Sequence, residues 1–445
     1  MMNSLKFIIS LIFFVVIIIF PNKTISIKCF NHPDFFEFYK RNPINYEFIK
    51  KRSLKTKRTS FNNNNNNFQI EFTCGIDDKI LCDKARKGFE SAGQIITSTI
   101  SFRNPVIVNA SFYNFCKTDN QCSSSNDNNM VAGGANPTKT IALTDNDGIV
   151  RYYPQALVKQ LPFERYPDFE PFDISAKFNS EVNYWFEGDK LPIKSDQTDF
   201  ILIILHEFIH GLGFVSSWND FFNFANPQGL TPVPSADNLN SGMSFNGFIE
   251  NIFDKYLIFL PSGEYVSNVA AKINTIVNEK GKFYQTPENF ITTFKSSSQY
   301  QQSEMMLKAA TTSFSLGFLP NNTNNLSEAI ILETTLNPFR TGSSLGHFDL
   351  KTYMNTSDFL MTYIQDPGMT LGDYMSISGN YTGGPIGPKL RQILGTMGYV
   401  IKDVYISPYT PSVSLNKFST AATISSNIGF MIFIFTTIII FNILI

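Results

Sequence analysis

The chain has 445 residues, with Lys+Arg 36 against Asp+Glu 37, five Cys and only four His. A net charge of -1 excludes the broad basic face that nucleic-acid binding needs, so no nucleic-acid partner is expected. Hydrophobic residues at 43%, with 44 Phe among the aromatics, exclude a disordered chain.

The N-terminus carries little charge. Lys6 precedes an apolar run over residues 7–20 broken only by Ser10. That is the pattern of a secretory signal, expected over residues 1–26. The run is shorter than the ~20 residues of a membrane span; an uncleaved signal anchor is the rival reading. Residues 27–67 differ in character from the rest of the chain. Lys50-Lys51-Arg52 and Lys57-Arg58 form a basic cluster, and residues 62–67 are all Asn, a tract that cannot build a core. The segment reads either as a prosegment removed after a dibasic site or as a solvated linker.

The pattern becomes globular at Phe68. Alternation predicts a strand over residues 68–72. Residues 77–100 read as a helix with Ile80, Ala85, Phe89 and Ile95 toward the core. Residues 105–113, 138–143 and 173–178 read as strands. Residues 196–212 read as a helix, with Ser195, Asp196 and Thr198 as candidate caps. Its body, residues 200–205, is apolar all round, which predicts a buried helix. Gly211 and Gly213 mark its end. Strands followed by a buried helix give an α+β or α/β layer.

Cys74 and Cys82 are close in sequence, as are Cys116 and Cys122. Local pairing of each is the first choice among three connectivities, in an oxidising compartment. Cys29 is left over. Six N-x-S/T sequons, at Asn22, Asn109, Asn321, Asn325, Asn355 and Asn380, agree with secretion, although an Asn-rich chain makes them by chance. Residues 405–427 read as a stalk and residues 428–445 as a terminal apolar tail. Small residues from Ser419 to Ser426 precede the tail and no Lys or Arg follows it. That favours a GPI-attachment signal over a membrane-spanning tail.

The sharpest motif ends the buried helix: His206-Glu207-Phe208-Ile209-His210, an H-E-x-x-H. Residues at i and i+4 share a helix face, so both imidazoles reach one ion, with Glu207 beside them as general base toward water activated by zinc. One Zn2+ is the expected cofactor. The bland alternative is two core histidines on a structural helix, but His, Glu and His among Ile and Leu are costly to bury without partners. A catalytic zinc needs a third protein ligand. Of the remaining histidines, His32 lies in the suspected prosegment, and His347 lies in the loop-like Gly342-Ser343-Ser344-Leu345-Gly346-His347. Glu250, in a Glu250-x-x-x-Asp254 pattern like that of gluzincins, is the competing ligand.

His206-Glu207-Phe208-Ile209-His210-Gly211-Leu212-Gly213-Phe214 resembles the active-site helix of leishmanolysin-type metzincins. In that family a long insertion separates the second and third His, and the third sits in a G-S-x-x-x-H segment. The metzincin position for a nearby third His is Ser216 here, while Gly213 keeps the turn. Phe359-Leu360-Met361-Thr362 resembles the Met-turn, and residues 386–399 the closing helix. The resemblance spans residues 68–400 and is patchy between motifs. No Cys follows Cys122, so the family's cysteine-rich C-terminal part is missing. The compact secreted form, with an H-E-x-G-H-G-L-G-F helix, is the nearer match.

The resemblance implies an α+β, metzincin-like zincin with a twisted mixed sheet and a buried active-site helix. An N-terminal lobe over residues 68–215 would face a mostly irregular or helical lobe over residues 216–404 below the cleft. His206, His210 and His347 would hold zinc. Met361, or its rival Met354, would form an apolar floor. Tyr363 would assist at the metal or simply pack, and Cys29 would act as a cysteine switch if the prosegment reading holds. The expected function is a secreted or surface-anchored zinc metalloendopeptidase acting on protein or peptide substrates, its membrane contact made by the tail or a GPI anchor. A catalytically silent adhesion protein on the same scaffold is the alternative. A non-peptidase hydrolase has no positive support.

Overall fold

The computed structural model describes residues 67–119, 131–379 and 381–408. The expected signal, most of the prosegment with Cys29 and His32, Cys122, Asn22, Asn380, the stalk beyond residue 408 and the apolar tail lie outside the described residues. Among the described residues no helix is long and apolar enough to cross a membrane.

Strand β1 (Phe68–Cys74) leads into helix α1 (Lys79–Thr99). Strands β2 (Val106–Tyr113), β3 (Gly133–Pro137) and β4 (Ile174–Asn179) come next, and then helix α2 (Phe200–Gly211). The sheet order is β1-β2-β4-β3. The first three run parallel, and β3 lies antiparallel at the edge. Val106, Val108, Ala110 and Phe112 of β2 and Ile174, Ala176 and Phe178 of β4 are buried. Period-two alternation puts them on one face. Helices α1 and α2 pack together beneath the sheet. Every residue of α2 is buried, as its unbroken apolar body predicts.

Aromatic rings fill the space between helices and sheet. Phe200 meets Phe89, Phe112 and Phe178 edge-on at 5.6, 5.6 and 5.7 Å. Small residues permit the close approach. A Cβ on Gly88 would lie 2.7 Å from the Phe200 ring, and one on Gly211 2.5 Å from Ile174.

Two details of the helices differ from the sequence reading. Ile80 is 73% exposed. It lies in the first turn of α1, before the buried stretch that begins at Ala85; Ala85, Phe89 and Ile95 do face inward. The cap of α2 is Asp199, not Ser195, Asp196 or Thr198. Its Oδ1 accepts from Ile201 N and Leu202 N, while Oδ2 accepts from Leu371 N at 2.8 Å. One carboxyl thus fixes the start of α2 and of the helix Leu371–Ile377. The strand expected over residues 138–143 is Thr140–Thr144, paired with Val150–Pro154 in a separate hairpin.

The second half is mostly helical or irregular and also holds two small three-stranded sheets. One contains β5 (Val233–Leu239) and β6 (Gly242–Ile249), whose register pairs Leu239 with Gly242. The intervening Asn240-Ser241, followed by Gly242 at φ 147, is a hairpin turn that the sequence reading passed over. The other sheet joins Leu257–Phe259, Leu316–Phe318 and Ile330–Ile331. The helix Pro388–Met397, within the segment resembling a closing helix, has its first backbone N–H groups capped from outside by Asp358. Val400–Ile401 then pairs with Ile100–Ser101, and Tyr399 Oη donates to Leu212 O at 2.8 Å. The segment after the Pro388–Met397 helix is thereby stitched to the end of α2. Cys74 and Cys82 form the expected disulfide, and Cys116 is disulfide-bonded as well.

Burial raises the Asp199 pKa to about 7. A carboxyl whose folded pKa exceeds its unfolded value of ~3.9 contributes stability at low pH that is lost as pH rises toward 7. D199N removes the titration along with one acceptor oxygen. It is expected to be less stable than the parent at pH 5, with the gap narrowing at pH 8, measured by urea denaturation at both values.

Candidate metal centre

Three rings converge at the end of α2. His206 and His210, one turn apart, point toward His347, which lies over 130 residues further along the chain. The Nε2 atoms of His206 and His347 stand 3.0 Å apart, and His210 Nε2 is 3.2 Å from each. They are the one cluster of metal-ligating type among the described residues. All three rings are buried.

Each ring is oriented from behind by a backbone carbonyl. His206 Nδ1 donates to Leu360 O at 2.7 Å, His210 Nδ1 to Phe214 O at 2.8 Å and His347 Nδ1 to Ser343 O at 2.9 Å. A carbonyl only accepts, so each Nδ1 carries the proton and each neutral Nε2 presents a lone pair. Burial holds the His206 pKa down to about 4. Burial, and then the neighbouring His210 and His206, hold His347 well below its usual value. Three lone pairs facing one point at this spacing have no hydrogen between them to share. Nitrogens about 2.0–2.1 Å from one tetrahedral ion stand roughly 3.3 Å apart, so the donor set fits Zn2+ in type, protonation state and spacing.

The local sequence explains how each ring is held. Gly213 has φ 108, and a Cβ there would fall 2.7 Å from Pro154. Glycine alone makes this turn comfortably, and the turn returns the Phe214 carbonyl to His210. Ser216, where metzincins place a third His, instead donates to Asp254 Oδ1 at 2.7 Å. The His347 segment is laced to Glu333: Leu345 N donates to Glu333 O, and Glu333 N to His347 O. The Glu333 carboxylate, fully buried, accepts from Thr335 N and Leu350 N. Phe348 N donates to Met361 O at 2.8 Å, which couples the third histidine to the turn Phe359–Met361. That turn packs against α2. Met361 is fully buried within it, while Met354 ends the short helix Leu350–Tyr353.

Glu207 is 2% exposed and lines the cleft with His210. Its Oε2 accepts from Ala135 N of β3 at 3.1 Å. The edge strand thus fixes one oxygen of the carboxylate. Ala135, Val215, Trp218, Phe339, Gly342 and Ser344 are among the other residues of its wall. Tyr363 is half-buried; burial and then Glu333 raise its pKa, and Arg340 opposes them. It therefore neighbours the support of His347.

Glu250 does not join the histidines. Its Oε2 accepts from Ser267 Oγ at 2.7 Å and lies 3.7 Å from Arg151 Nε. The competing ligand assignment is thus corrected: Glu250 belongs to a buried ion-pair network. The sequence reading also missed Ala135 and Glu333. The Gly133-Gly134 pair preceding Ala135 was the available signal for a close approach, since a Cβ on Gly133 would meet the Phe178 ring at 2.6 Å. Glu333 carried no local signal.

A family model described as SPBPB7E8-like matches residues 29–427. The chain belongs to the SPBPB7E8-like family. A relative from Schizosaccharomyces pombe (strain 972), named "Uncharacterized protein PB7E8.01", is 27% identical over 390 residues. The alignment covers 80% of this chain and 66% of the relative, so the chain spans just under two thirds of that protein's length. No solved structure matches.

E333A removes the acceptor of Thr335 N and Leu350 N and leaves a void where a fully buried side chain stood. It is expected to lower thermal stability and to weaken zinc retention against a chelator, with the H-E-x-x-H helix intact. Chelator-competition titration of E333A against the parent checks this.

Proposed function

We propose that the chain is a zinc-dependent metalloendopeptidase of metzincin-like type, most similar to compact leishmanolysin-like enzymes. The observation that carries this reading is the convergence of three buried imidazoles, each with Nδ1 donated to a carbonyl, beside a carboxylate clasped by an edge strand.

His206, His210 and His347 would hold one Zn2+. When bound, zinc supplies Lewis acidity, polarising a scissile carbonyl and lowering the pKa of water. Glu207 takes the proton of the attacking water on its carboxylate and delivers it to the leaving amine nitrogen. Ala135 N–H holds Oε2 of Glu207 and so fixes the carboxylate that moves the proton. The Leu360, Phe214 and Ser343 carbonyls keep the rings from rotating and the Nδ1 protons in place. An extended peptide substrate lying along β3 would place its backbone beside Glu207. Met361 contributes a packed apolar support, and Tyr363, set beside Glu333, acts through the His347 loop. We further propose a secreted or surface-anchored location, with protein or peptide substrates. The Cys74–Cys82 disulfide and the exposure of Asn321, Asn325 and Asn355 favour that location.

E207Q is expected to abolish peptide hydrolysis, by at least about a hundredfold in kcat/KM, while keeping about one zinc per chain by elemental analysis. H347A is expected to lose both. Full hydrolysis by E207Q would sink the mechanism.

A further inference from the structure

The cleft beside His210 holds hydrogen-bond donors that the chemistry above does not use. Val215, Trp218 and Phe339 give it an apolar wall, and Asn219 lies on the same wall. Asn219 is 5% exposed. Its Oδ1 accepts from Asp220 N at 3.0 Å and from Thr341 Oγ1 at 2.9 Å. A backbone N–H only donates, so the atom facing Asp220 N is the oxygen and the amide cannot be the other way round. Nδ2 therefore turns away from both donors. It makes no hydrogen bond, yet it is not sealed from solvent. The open space that Asn219 lines is this cleft, so Nδ2 is a fixed donor directed into it.

Arg340 adds a charge at the rim. Phe339 and Gly342, on either side of it in the chain, line the wall. Its charge reaches Tyr363, where it opposes the rise in pKa. Arg340 is exposed and, among the described residues, pairs with no carboxylate. Glu333, the acid that also acts on Tyr363, is fully buried and accepts from Thr335 N and Leu350 N instead. Ser344, also on the wall, accepts from Arg340 N at 3.1 Å and keeps its own hydroxyl hydrogen to give. Asn136 can donate or accept and does not decide the balance. Among the described residues Glu207 is the one carboxylate of the wall, and a divalent ion on the three imidazoles would outweigh its charge. The segment that carries His347 thus also locks Asn219, through Thr341, and brings an uncommitted guanidinium to the rim.

We propose that this cleft selects an acidic residue, Asp or Glu, next to the scissile bond of a peptide substrate. The inference rests on the metalloendopeptidase reading above. Asn219 Nδ2 and the Arg340 guanidinium donate to the substrate carboxylate, and Trp218 and Phe339 pack on its methylene groups. A fixed N–H without an acceptor calls for one. A neutral Asn or Gln side chain would satisfy Asn219 alone; the guanidinium, which holds a carboxylate through charge-assisted and bidentate bonds, sets the preference for the acid.

The test is digestion of a chymotryptic peptide library by the zinc-loaded full chain, with the new termini sequenced by mass spectrometry. Asp and Glu are expected at one of the two positions flanking the cleaved bond, enriched roughly tenfold over Asn and Gln, as one charge-assisted hydrogen bond gives. R340E, at an exposed position, should abolish that enrichment and bring Lys and Arg to the same position. N219A should weaken the enrichment; if that buried substitution fails to fold, R340E still decides. Cleavage without acidic enrichment, or an enrichment unchanged in R340E, would overturn this inference and leave the peptidase reading standing. No cleavage by the zinc-loaded parent would overturn the peptidase reading and this inference with it.

Discussion

Three backbone carbonyls, those of Phe214, Ser343 and Leu360, hold three imidazoles in one protonation state. Much of the second half of the molecule serves to deliver two of those carbonyls. Nitrogen lone pairs 3.0–3.2 Å apart repel one another, and burial removes the water that would screen them. Such an arrangement is costly to maintain unless a cation relieves it. The fold bears that cost through interactions distributed far from the site: Asp199 anchoring α2 at one end, Tyr399 Oη donating to Leu212 O at the other, and Glu333 bracing the His347 loop.

The fold explains why so few polar groups suffice. Helix α2 lies between the sheet and the second half with every residue buried, so its last turn is rigidly held. Glu207 needs a fixed neighbour in such a place, and β3 provides one by running along the sheet edge with Ala135 N–H directed at the carboxylate. The Gly213 turn serves His210, and the ladder of Glu333, Leu345, His347 and Phe348 joins the third imidazole to the Phe359–Met361 turn. These supports arise from separate stretches of chain, which is how more than 100 residues can lie between His210 and His347.

Much of the first half was legible in the sequence because its signals are local. Alternation marked β1, β2 and β4, the all-apolar body marked α2 as buried, and the H-E-x-x-H spacing placed two imidazoles on one face. Ile80 was misplaced because its hydrophobicity was weighed without its place in the first turn of the helix, ahead of the buried stretch. Asp199 was missed as the cap because three other capping residues precede it within four positions. Long-range partners were not legible at all. Nothing near Glu333 marks it as a brace, and Glu250 in its Glu250-x-x-x-Asp254 spacing looked like a ligand, whereas Arg151, nearly a hundred residues earlier, claims it. His347 was reached by elimination among four histidines and by resemblance, since the contacts that orient it come from residues distant in sequence.

The central claim is that the three imidazoles hold one zinc through Nε2. X-ray absorption at the zinc edge of the purified full chain tests it most directly. The account predicts about one zinc per chain, with a first shell that includes three imidazole nitrogens at about 2.0–2.1 Å and loses one of them in H347A. A first shell without imidazole scattering, or one unchanged by H347A, would contradict it.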